Sequence, residues 1–309
     1  MDKNAKIFVA GHKGMVGSAL VRKLKSLGYT NILTLDKKIC DLKHQHSVNH
    51  HFNLEKPEYV FIAAAKVGGI KSNSQYKADF IYENIMIQSN IIHASYQNDV
   101  KKLLFLGSSC IYPKMSQQPI KEEYLLSGYL EESNDAYAIA KISGIKMCQS
   151  YNNQYNTDFI SVMPCNLYGI GDNYHSENSH VFPAIIRKLH EAKQNGQSEI
   201  LLWGDGSPLR EFLCSDDVAD ACIFLMNNKT KYDLINVGAG WDLSIKELAE
   251  KMRDIIYPEC QIVFNGQVSI NGTPKKLMDS SKIAELGWKS TISLEEGIKL
   301  AYEDFLSRN

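Results

Sequence analysis

The sequence predicts an α/β fold in which a doubly wound parallel sheet is followed by a smaller C-terminal α/β lobe. Three observations support this prediction. Short apolar runs, typical of buried parallel strands, alternate with segments of helical periodicity through the first half of the chain. From about Asn166 this alternation stops, and residues typical of loops become frequent. Finally, 309 residues with 44% hydrophobic content are enough for one large domain and a smaller lobe.

The strands and helices of the first half follow one another at the spacing of βαβ units. Strands are predicted at residues 6–10, 31–36, 59–65, 102–108 and 158–162, with helices at 15–27, 79–97 and 137–155. Because βαβ connections are right-handed, these strands are expected to form one parallel sheet.

The C-terminal part mixes loops with well-marked helices. Residues 167–179 read as loop, and helices are predicted at 181–194 and 244–256. Ser244 and Glu247 form a capping box at the start of the second helix, and Ser293 with Glu296 opens a last helix in the same way.

Composition excludes several classes of protein. Lys and Arg total 34 against 35 Asp and Glu, so the net charge of −1 offers no basic surface for nucleic acid or an anionic membrane. No signal peptide and no apolar run long enough to span a bilayer is read. The seven cysteines lack CxxC spacing and are expected to be free thiols. We expect a cytoplasmic protein.

A glycine-rich turn connects the first strand to the first helix. Gly11, Gly14 and Gly17 give the spacing GxxGxxG, which permits a tight turn and close approach of the backbone to a pyrophosphate at the helix N-terminus. The residues expected to bind a dinucleotide here are Gly11, Lys13, Gly14, Met15, Val16 and Gly17. The fold is therefore predicted to be of Rossmann type, with a dinucleotide-binding domain at 1–165, a returning segment near 205–240, and a mainly substrate-binding lobe at 166–309.

The end of the second strand gives conflicting signals about the cofactor. Asp36 is placed to accept hydrogen bonds from an adenosine ribose, which favours NAD. Lys13, Lys37 and Lys38 could instead surround the 2′-phosphate of NADP. Asp41 and Leu42 further on could approach the adenine, although an exposed loop is the simpler interpretation.

Tyr137 and Lys141 form a Tyr-x-x-x-Lys pattern at the start of a predicted helix. The spacing places both side chains on one helix face. A tyrosine has an ordinary pKa of about 10, and a neighbouring ammonium is expected to lower it toward neutrality. Ser108 follows the fourth strand, at the edge of the sheet where ligands bind. There it could hydrogen-bond the substrate carbonyl oxygen that Tyr137 would protonate. We interpret Ser108, Tyr137 and Lys141 as the catalytic residues of a reductase.

These residues resemble the extended short-chain dehydrogenase/reductase family. Longer strings are similar to its GDP-L-fucose synthase branch over essentially the whole chain, namely AAAKVGGI at 63–70, LGSSCIYP at 106–113, YAIAK at 137–141, NSHV at 178–181 and REFL at 210–213. The resemblance implies epimerisation at C3 and C5 of GDP-4-keto-6-deoxymannose and reduction of C4 with NADPH. It also implies a homodimer built on helices 79–97 and 137–155.

The same resemblance assigns further site residues. Cys110 and His180 match the acid/base pair of epimerisation, and Lys188, Trp203 and Arg210 match residues that bind substrate. Taken together, the residue patterns and the resemblance predict these cofactor residues beyond the glycine-rich turn: Asp36, Lys37, Asp41, Leu42, Ala63, Ala64, Ala65, Tyr137, Lys141, Pro164, Asn166, Leu167 and His180.

The chain departs from the family pattern at several positions. Lysine replaces arginine at Lys13, Lys37 and Lys188, and Asp36 is foreign to an NADP site of this type. NADP(H) is favoured, and NAD(H) is possible because of Asp36. The other departures replace threonine by Cys165 and histidine by Cys214, which suggests an altered sugar pocket.

Alternative functions therefore stay open. One is reduction of a GDP-4-keto-heptose without epimerisation, and another, of a different class, is a non-catalytic dinucleotide-binding sensor. A UDP- or dTDP-sugar dehydratase or 4-epimerase fits the NSHV and SSCIYP strings less well. The histidines at 44, 46, 50 and 51 are interpreted as a solvated face, and no metal is expected.

Overall fold

A computed structural model describes residues 1–176, 179–268 and 272–308. Its central sheet has six strands, and all five neighbouring pairs are parallel. Their order across the sheet is β10 (Leu234–Val237), β5 (Phe159–Pro164), β4 (Lys102–Leu106), β3 (Tyr59–Ile62), β1 (Ile7–Ala10) and β2 (Ile32–Leu33). Helices α1 (Met15–Ser26) and α7 (Ser215–Asn227) pack against each other, as do α4 (Lys77–Gln97) and α5 (Asp135–Tyr155). This parallel sheet confirms the predicted α/β class.

The first half of the chain builds five strands of this sheet. Its elements are β1 (Ile7–Ala10), α1 (Met15–Ser26), β2 (Ile32–Leu33), α2 (Gln45–Glu55), β3 (Tyr59–Ile62), α3 (Ile70–Gln75), α4 (Lys77–Gln97), β4 (Lys102–Leu106), α5 (Asp135–Tyr155) and β5 (Phe159–Pro164). Strands β1, β4 and β5 are buried along their whole length, as expected for parallel strands covered on both faces.

The second half returns to the sheet once and otherwise forms a lobe. Its elements are β6 (Asn166–Tyr168), α6 (Val181–Asn195), β7 (Glu199–Leu202), β8 (Leu209–Arg210), β9 (Phe212–Cys214), α7 (Ser215–Asn227), β10 (Leu234–Val237), β11 (Leu243–Ser244), α8 (Ile245–Ile256), β12 (Gln261–Phe264), β13 (Lys275–Lys276), α9 (Ser281–Glu285) and α10 (Leu294–Arg308). Strand β10 pairs with β5, so the sheet is completed only after the lobe has begun.

Two hydrophobic clusters hold the fold together. The sheet core surrounds the central sheet and includes Phe8, Phe61 and Phe105. The lobe core includes Tyr168 and Phe182, whose rings stack with centroids 3.9 Å apart. The chain passes repeatedly from one core to the other, because α7, β10 and α9 belong to the sheet core while α8 and α10 belong to the lobe core.

Several predicted segments differ from the structure, and the strands predicted at 59–65 and 102–108 end at Ile62 and Leu106. The strand predicted at 31–36 is limited to Ile32–Leu33, because only these two residues pair with β1. The predicted loop at 167–179 begins inside a short strand, β6, which pairs in parallel with β9. Sequence could not show this pairing, because the partner strand lies far along the chain.

The predicted capping box at Ser244 is present. The Ser244 hydroxyl accepts a hydrogen bond from the Glu247 amide at 3.0 Å, and the Glu247 carboxylate accepts one from the Ser244 amide at 2.7 Å. In the described parts of the chain, no helix is both long and apolar enough to cross a membrane.

Candidate active site

Several of the sequence-predicted site residues lie along one edge of the sheet. Strands β1, β3, β4 and β5 are parallel, so their carboxyl ends meet there. Gly11 follows β1, Ala63 follows β3 and Ser108 lies just beyond β4, while Pro164 is the last residue of β5. In an open α/β sheet this edge is where ligands bind.

The glycine-rich turn is packed so tightly that side chains cannot replace two of its glycines. Gly11 has φ +86°, and a Cβ there would lie 2.6 Å from the Ala64 amide nitrogen. A Cβ on Gly17 would lie 2.0 Å from the Gly11 carbonyl oxygen. No side chain caps the N-terminus of α1, which leaves its first amides available to an anion. The turn therefore fits a dinucleotide pyrophosphate.

The predicted adenosine end contains a group of charges. One carboxylate oxygen of Asp36 lies 2.7 Å from Lys13 Nζ and 3.2 Å from His12 Nε2. The contact with Lys13 lowers the pKa of Asp36. Lys37 and Lys38 follow it with exposed side chains. A carboxylate and several lysine side chains are thus both present where the adenosine ribose is predicted to bind.

Asp41 and Leu42 lie in a loop that is partly buried rather than exposed. The Asp41 carboxylate accepts the Lys43 amide at 3.1 Å, and the Leu42 carbonyl accepts the Asn90 side-chain amide at 2.9 Å. Both residues are partly buried, and Leu42 packs against the sheet core.

Ser108, Cys110, Tyr137 and Lys141 come together beyond the end of β4. The Ser108 hydroxyl is a hydrogen-bonding neighbour of both the Tyr137 phenol and the Cys110 thiol. Lys141 Nζ lies 5.8 Å from the centre of the Tyr137 ring, which packs edge-on against Phe80. Helix α5 thus presents its two predicted catalytic residues to the strand-end serine.

Burial shifts the pKa values of both predicted catalytic residues of α5. Burial raises the pKa of Tyr137 well above its ordinary value, and the Ser108 hydroxyl opposes this only partly. Lys141 donates to the Leu106 carbonyl at 2.7 Å rather than to the phenol, and burial lowers its pKa to about 8. Burial of the phenol thus outweighs the lowering of the tyrosine pKa that is expected from a neighbouring ammonium.

The predicted acid/base pair occupies two different environments. Cys110 lies in a 3-10 turn, Ser109–Ile111, and is 9% exposed. Burial raises the pKa of its thiol, while the charge of Lys276 and the Ser108 hydroxyl lower it. His180 is exposed and immediately precedes α6. Asn178 of the NSHV string lies outside the described residues.

The predicted substrate residues form two groups. Lys188 Nζ lies 6.0 Å from the centre of the Trp203 ring and donates to the Leu201 carbonyl at 2.6 Å. The Trp203 ring is presented to solvent, since the residue is 74% exposed. Arg210 lies in β8, in the small sheet formed with β11 and β13.

Lys276 is a site residue that sequence reasoning missed. It is directly opposite Arg210 in the β8–β13 pairing, and its charge acts on Cys110 and Cys165 as well as on Arg210. Burial lowers its pKa. The only sequence signal is a pair of lysines after a proline, and nothing in that pattern shows that it meets a thiol from the end of β4. Arg210 and Lys276 together offer two cations to an anionic ligand.

A buried carboxylate connects the strands around these cations. Glu211 is fully buried, and its oxygens accept the Gly240 amide at 2.8 Å and the Met278 amide at 3.1 Å. Burial raises its pKa to about 7. The Glu211 carbonyl also accepts from the Asn166 side chain at 2.9 Å, which ties a predicted cofactor residue to the same strand.

The remaining predicted residues divide between the edge of the sheet and its interior. Ala63 and Ala64 pack against the sheet core, as does Leu167. Cys165 is 7% exposed and feels the charges of Glu211 and Lys276. Cys214 is 2% exposed and packs in the lobe core. Its side chain therefore contributes to packing rather than to a sugar pocket.

The histidine-rich segment forms helix α2. His50 and His51 contact each other edge to face with ring centroids 5.3 Å apart. Among the described residues, no group of three or more histidine, cysteine or acidic side chains is arranged to hold a metal ion.

Comparisons with known proteins agree with this geometry. The family model for the NAD dependent epimerase/dehydratase family matches residues 7–238. A GDP-L-fucose synthase of Arabidopsis thaliana is 53% identical over 305 residues, covering 99% of this chain and 94% of that protein.

Two solved structures from Campylobacter jejuni extend the comparison. A GDP-6-OMe-4-keto-L-xylo-heptose reductase has a TM-score of 0.93 and 41% identity, covering 100% of this chain and 99% of its own. A GDP-mannoheptose C4 reductase with NADP bound has a TM-score of 0.91 and 42% identity, covering 99% of both chains. These similarities confirm the resemblance seen in the sequence.

Proposed function

Because this chain belongs to the NAD dependent epimerase/dehydratase family, we propose that it reduces the C4 ketone of a GDP-linked 4-keto-sugar with NADPH. We propose further that it epimerises C3 and C5 of the sugar, as a GDP-L-fucose synthase does, in the synthesis of sugar nucleotides for surface polysaccharides. The observation that supports reduction best is the meeting of Ser108, Tyr137 and Lys141 at the carboxyl edge of the sheet.

Reduction of a ketone needs a hydride at carbon and a proton at oxygen. Bound NADPH supplies the hydride. Tyr137 donates its phenolic proton to the C4 oxygen, and Ser108 donates a hydrogen bond to the same atom as negative charge develops there. Lys141 lies close enough to stabilise the phenolate that remains. Because Lys141 has a pKa of about 8, it loses this charge above that pH.

Epimerisation needs proton transfer on both faces of the sugar. Protons on the carbons beside a ketone are acidic, so one group removes the proton and another returns it on the opposite face. We assign these roles to Cys110 and His180. The charge of Lys276 favours the thiolate of Cys110 against the opposing effect of burial.

Binding of the GDP moiety uses the cations of the lobe. Arg210 is suited to a diphosphate because its guanidinium is a rigid fork of donors, and Lys276 lies opposite it. Trp203 is placed to contact the nucleotide through its exposed ring, with Lys188 beside it. The cofactor is held by the predicted dinucleotide residues, and NADP(H) is favoured over NAD(H).

A GDP-4-keto-heptose is the second candidate substrate. The two solved relatives are named for reductases of GDP-heptoses, and Cys165 replaces the threonine expected near the sugar. A protein that reduces such a sugar without epimerisation would still use Ser108, Tyr137 and Lys141. A non-catalytic sensor has no need of that proton donor, so the intact cluster counts against it.

Two further properties belong to this proposal. The protein is expected to be a cytoplasmic homodimer, with α4 and α5 of each subunit forming a four-helix interface. Exposed apolar side chains on these helices support this, including Tyr82 at 61% and Ile139 at 46% exposure.

Turnover in deuterium oxide tests the proposal. Purified protein, NADPH and GDP-4-keto-6-deoxymannose should lose NADPH absorbance and yield GDP-L-fucose carrying deuterium at C3 and C5. The variant Cys110→Ser should lose the deuterium while still binding NADPH. Cys260→Ser is the matched control, because Cys260 lies in the lobe core.

Two outcomes would change the conclusion. Reduction without deuterium at either carbon would replace the dual activity by reduction alone, and a panel of GDP-4-keto-heptoses would then identify the sugar. Cofactor binding with no turnover of any GDP-keto-sugar would favour the sensor.

A further inference from the structure

The turn that carries Cys110 is tied into a network of buried hydrogen bonds. At the centre of this network is Asn236 of β10, which is fully buried. The Tyr112 hydroxyl donates to the Asn236 side-chain oxygen at 2.6 Å. The Asn236 side-chain nitrogen donates to the carbonyls of Ile120 at 2.9 Å and Asp279 at 3.2 Å. One amide side chain thus joins three other segments of the chain.

The same network reaches the segment that carries Lys276. Lys276 is the last residue of β13, and Leu277 follows it. The Leu277 amide donates to the Gln118 side-chain oxygen at 2.7 Å, and its carbonyl accepts the Ile120 amide at 2.8 Å. Segment 118–120 is therefore hydrogen-bonded both to the backbone beside Lys276 and to the asparagine that holds the Cys110 turn.

A buried ion pair completes the network. Glu122 is 6% exposed, and its carboxylate accepts the Asn236 backbone amide at 2.9 Å and lies 3.1 Å from Lys282 Nζ. Burial raises the pKa of Tyr112, so its hydroxyl keeps its proton and is the donor to Asn236. Removing this hydroxyl therefore takes away one bond and leaves the other hydrogen-bonding groups of the network in place.

The separation of the two joined segments matters for the Cys110 thiol. Burial raises the pKa of this thiol, and the charge of Lys276 is the strongest effect that lowers it. Lys141 and Tyr137 of α5 also interact with the thiol, and Ser108 hydrogen-bonds it. Because the attraction between a thiolate and an ammonium weakens with distance, it depends on how closely the two segments are held.

We propose that Tyr112 and Asn236 are positioning residues, whose hydrogen bond fixes the Cys110 thiol at a set distance from the Lys276 ammonium. They act through Cys110 and not on the sugar itself. The inference rests on the proposed function, in which Cys110 is one of the two proton-transfer groups of epimerisation, and it names what prepares that group.

Titration of the Cys110 thiol, followed by carbon-13 NMR of the full chain labelled at cysteine Cβ without any sugar, tests the positioning. Cys110→Ser identifies the signal. Tyr112→Phe should raise the midpoint by at least about 0.5 pH unit, because Lys276 is no longer held close. Lys276→Met should raise the midpoint of the wild type, and by less than half as much in the Tyr112→Phe background. Tyr29→Phe is the matched control, because this 3% exposed tyrosine also donates to an asparagine side chain, that of Asn227 at 3.1 Å.

A second variant approaches the same distance from the side of Lys276. Gln118→Met removes the acceptor of the Leu277 amide, and its site is only partly buried, so the fold is expected to tolerate the change. The midpoint of the thiol should rise here as well. Gln117→Met alters the exposed neighbouring glutamine, which accepts the Tyr124 hydroxyl at 3.3 Å, and should leave the midpoint where it is.

Solvent exchange into the sugar tests the consequence for catalysis. In deuterium oxide, with GDP-4-keto-6-deoxymannose and NADP+ in place of NADPH, Tyr112→Phe should exchange the C3 and C5 protons at least about fivefold more slowly than the wild type at pH 7. The two rates should converge at pH 9, where more of the thiol ionises. A variant that is equally impaired at both pH values would show a purely structural defect and would overturn the positioning role.

The two measurements distinguish this inference from the proposed function. A wild type that exchanges no protons but shows the expected midpoints would disprove the role of Cys110 in epimerisation and leave its positioning by Tyr112 standing. Midpoints that neither Tyr112→Phe nor Gln118→Met moves would overturn the positioning, even in a protein that epimerises. An effect of Lys276→Met that is equal in both backgrounds would do the same.

Discussion

The Tyr137 phenol is an unusually weak acid in this structure, because protein surrounds it and the nearest cation is directed elsewhere. Lys141 is 3% exposed and hydrogen-bonded to the Leu106 carbonyl. Burial thus lowers the pKa of the lysine and raises that of the tyrosine. A raised pKa keeps the proton on the phenol but makes it a weaker donor, so its transfer to a ketone depends on stabilisation of the phenolate by Ser108 and Lys141.

Tyr137→Phe should therefore abolish reduction without abolishing binding. We expect kcat to fall at least about a hundredfold, the usual contribution of a positioned proton donor, while the dissociation constant of NADPH changes by less than about threefold. Stopped-flow absorbance and calorimetry measure the two quantities.

The matched control for this variant is Tyr232→Phe. The Tyr232 hydroxyl donates to Glu285 at 3.1 Å, at the opposite end of β10 from the site. Its removal should leave kcat unchanged. A Tyr137→Phe protein that retains more than about a tenth of wild-type kcat would assign the proton to another donor.

Sequence identified the catalytic cluster because its members follow local rules. A strand-end serine and a tyrosine four residues before a lysine can be recognised without knowing any tertiary contact. Lys276 could not be found in this way, because its place depends on β13 pairing beside β8. The hydrogen bond from Lys141 to Leu106 was missed for the same reason, since it joins α5 to β4.

At the scale of elements, the junction of β1 and α1 depends on close packing of backbone. Gly17→Ala would place a Cβ 2.0 Å from the Gly11 carbonyl oxygen, so the helix would have to move away from the strand. We expect a loss of about 3 kcal/mol in the free energy of unfolding, which is the upper end of the range for inserting a group into a packed core. NADPH binding should be lost as well, and chemical denaturation with calorimetry would measure both effects.

Gly14→Ala provides the comparison within the same turn. A Cβ at Gly14 would lie 3.4 Å from the Gly11 carbonyl oxygen, and Gly14 has φ −77°, which alanine adopts readily. Its free energy of unfolding should stay within about 1 kcal/mol of the wild type. Equal destabilisation by the two substitutions would contradict the packing explanation.

Elements with strong local signals were predicted well, and elements that depend on distant pairing were not. Helix α8 begins at its capping box, and the buried strands of the sheet lie within or close to their apolar runs. Strand β2 is shorter than predicted because only Ile32 and Leu33 pair with β1. Strand β6 was missed because three residues gain a strand conformation only by pairing with β9.

At the scale of the whole molecule, the expected homodimer can be tested through a single exposed side chain. Ile139 lies on α5 and is 46% exposed, so an aspartate there would put an unpaired charge into an apolar interface. We expect the wild type to have about twice the chain mass of 34.8 kDa in light scattering and Ile139→Asp to be monomeric. Leu306→Asp, on α10 at 47% exposure, should stay dimeric. A wild type that is monomeric would disprove the interface.

A buried carboxyl between the loop after β6 and the C-terminal helix should make stability depend on pH. Burial raises the pKa of Asp172 from its ordinary 3.8 to about 7, and Asp304 adds a like charge. The folded protein therefore binds more protons than the unfolded chain between these values. Consequently its free energy of unfolding falls as pH rises through this window.

Asp172→Asn removes the ionisation that lowers the free energy of unfolding at high pH. One Asp172 oxygen accepts the Asn173 amide at 2.7 Å, and asparagine can keep that contact. We expect the variant to be about 1–3 kcal/mol more stable than the wild type at pH 8 and similar to it at pH 4. Denaturation across this pH range measures the difference, and parallel curves for the two proteins would refute the assignment.

The alternation of the chain between its two cores has a mechanical consequence. Domains that close over a ligand by a hinge motion are usually joined by one or two flexible connections. A few hinge residues in these connections absorb the rotation. Here α7, β10 and α9 return to the sheet core between segments of the lobe core, so a rotation would have to bend several connections at once. We expect the distance between the carboxyl edge of the sheet and the lobe to stay nearly the same with and without ligands. The sugar would then have to fit a site of fixed shape. A small-angle scattering profile that is unchanged on addition of GDP and NADPH would support this rigidity, and a more compact profile would contradict it.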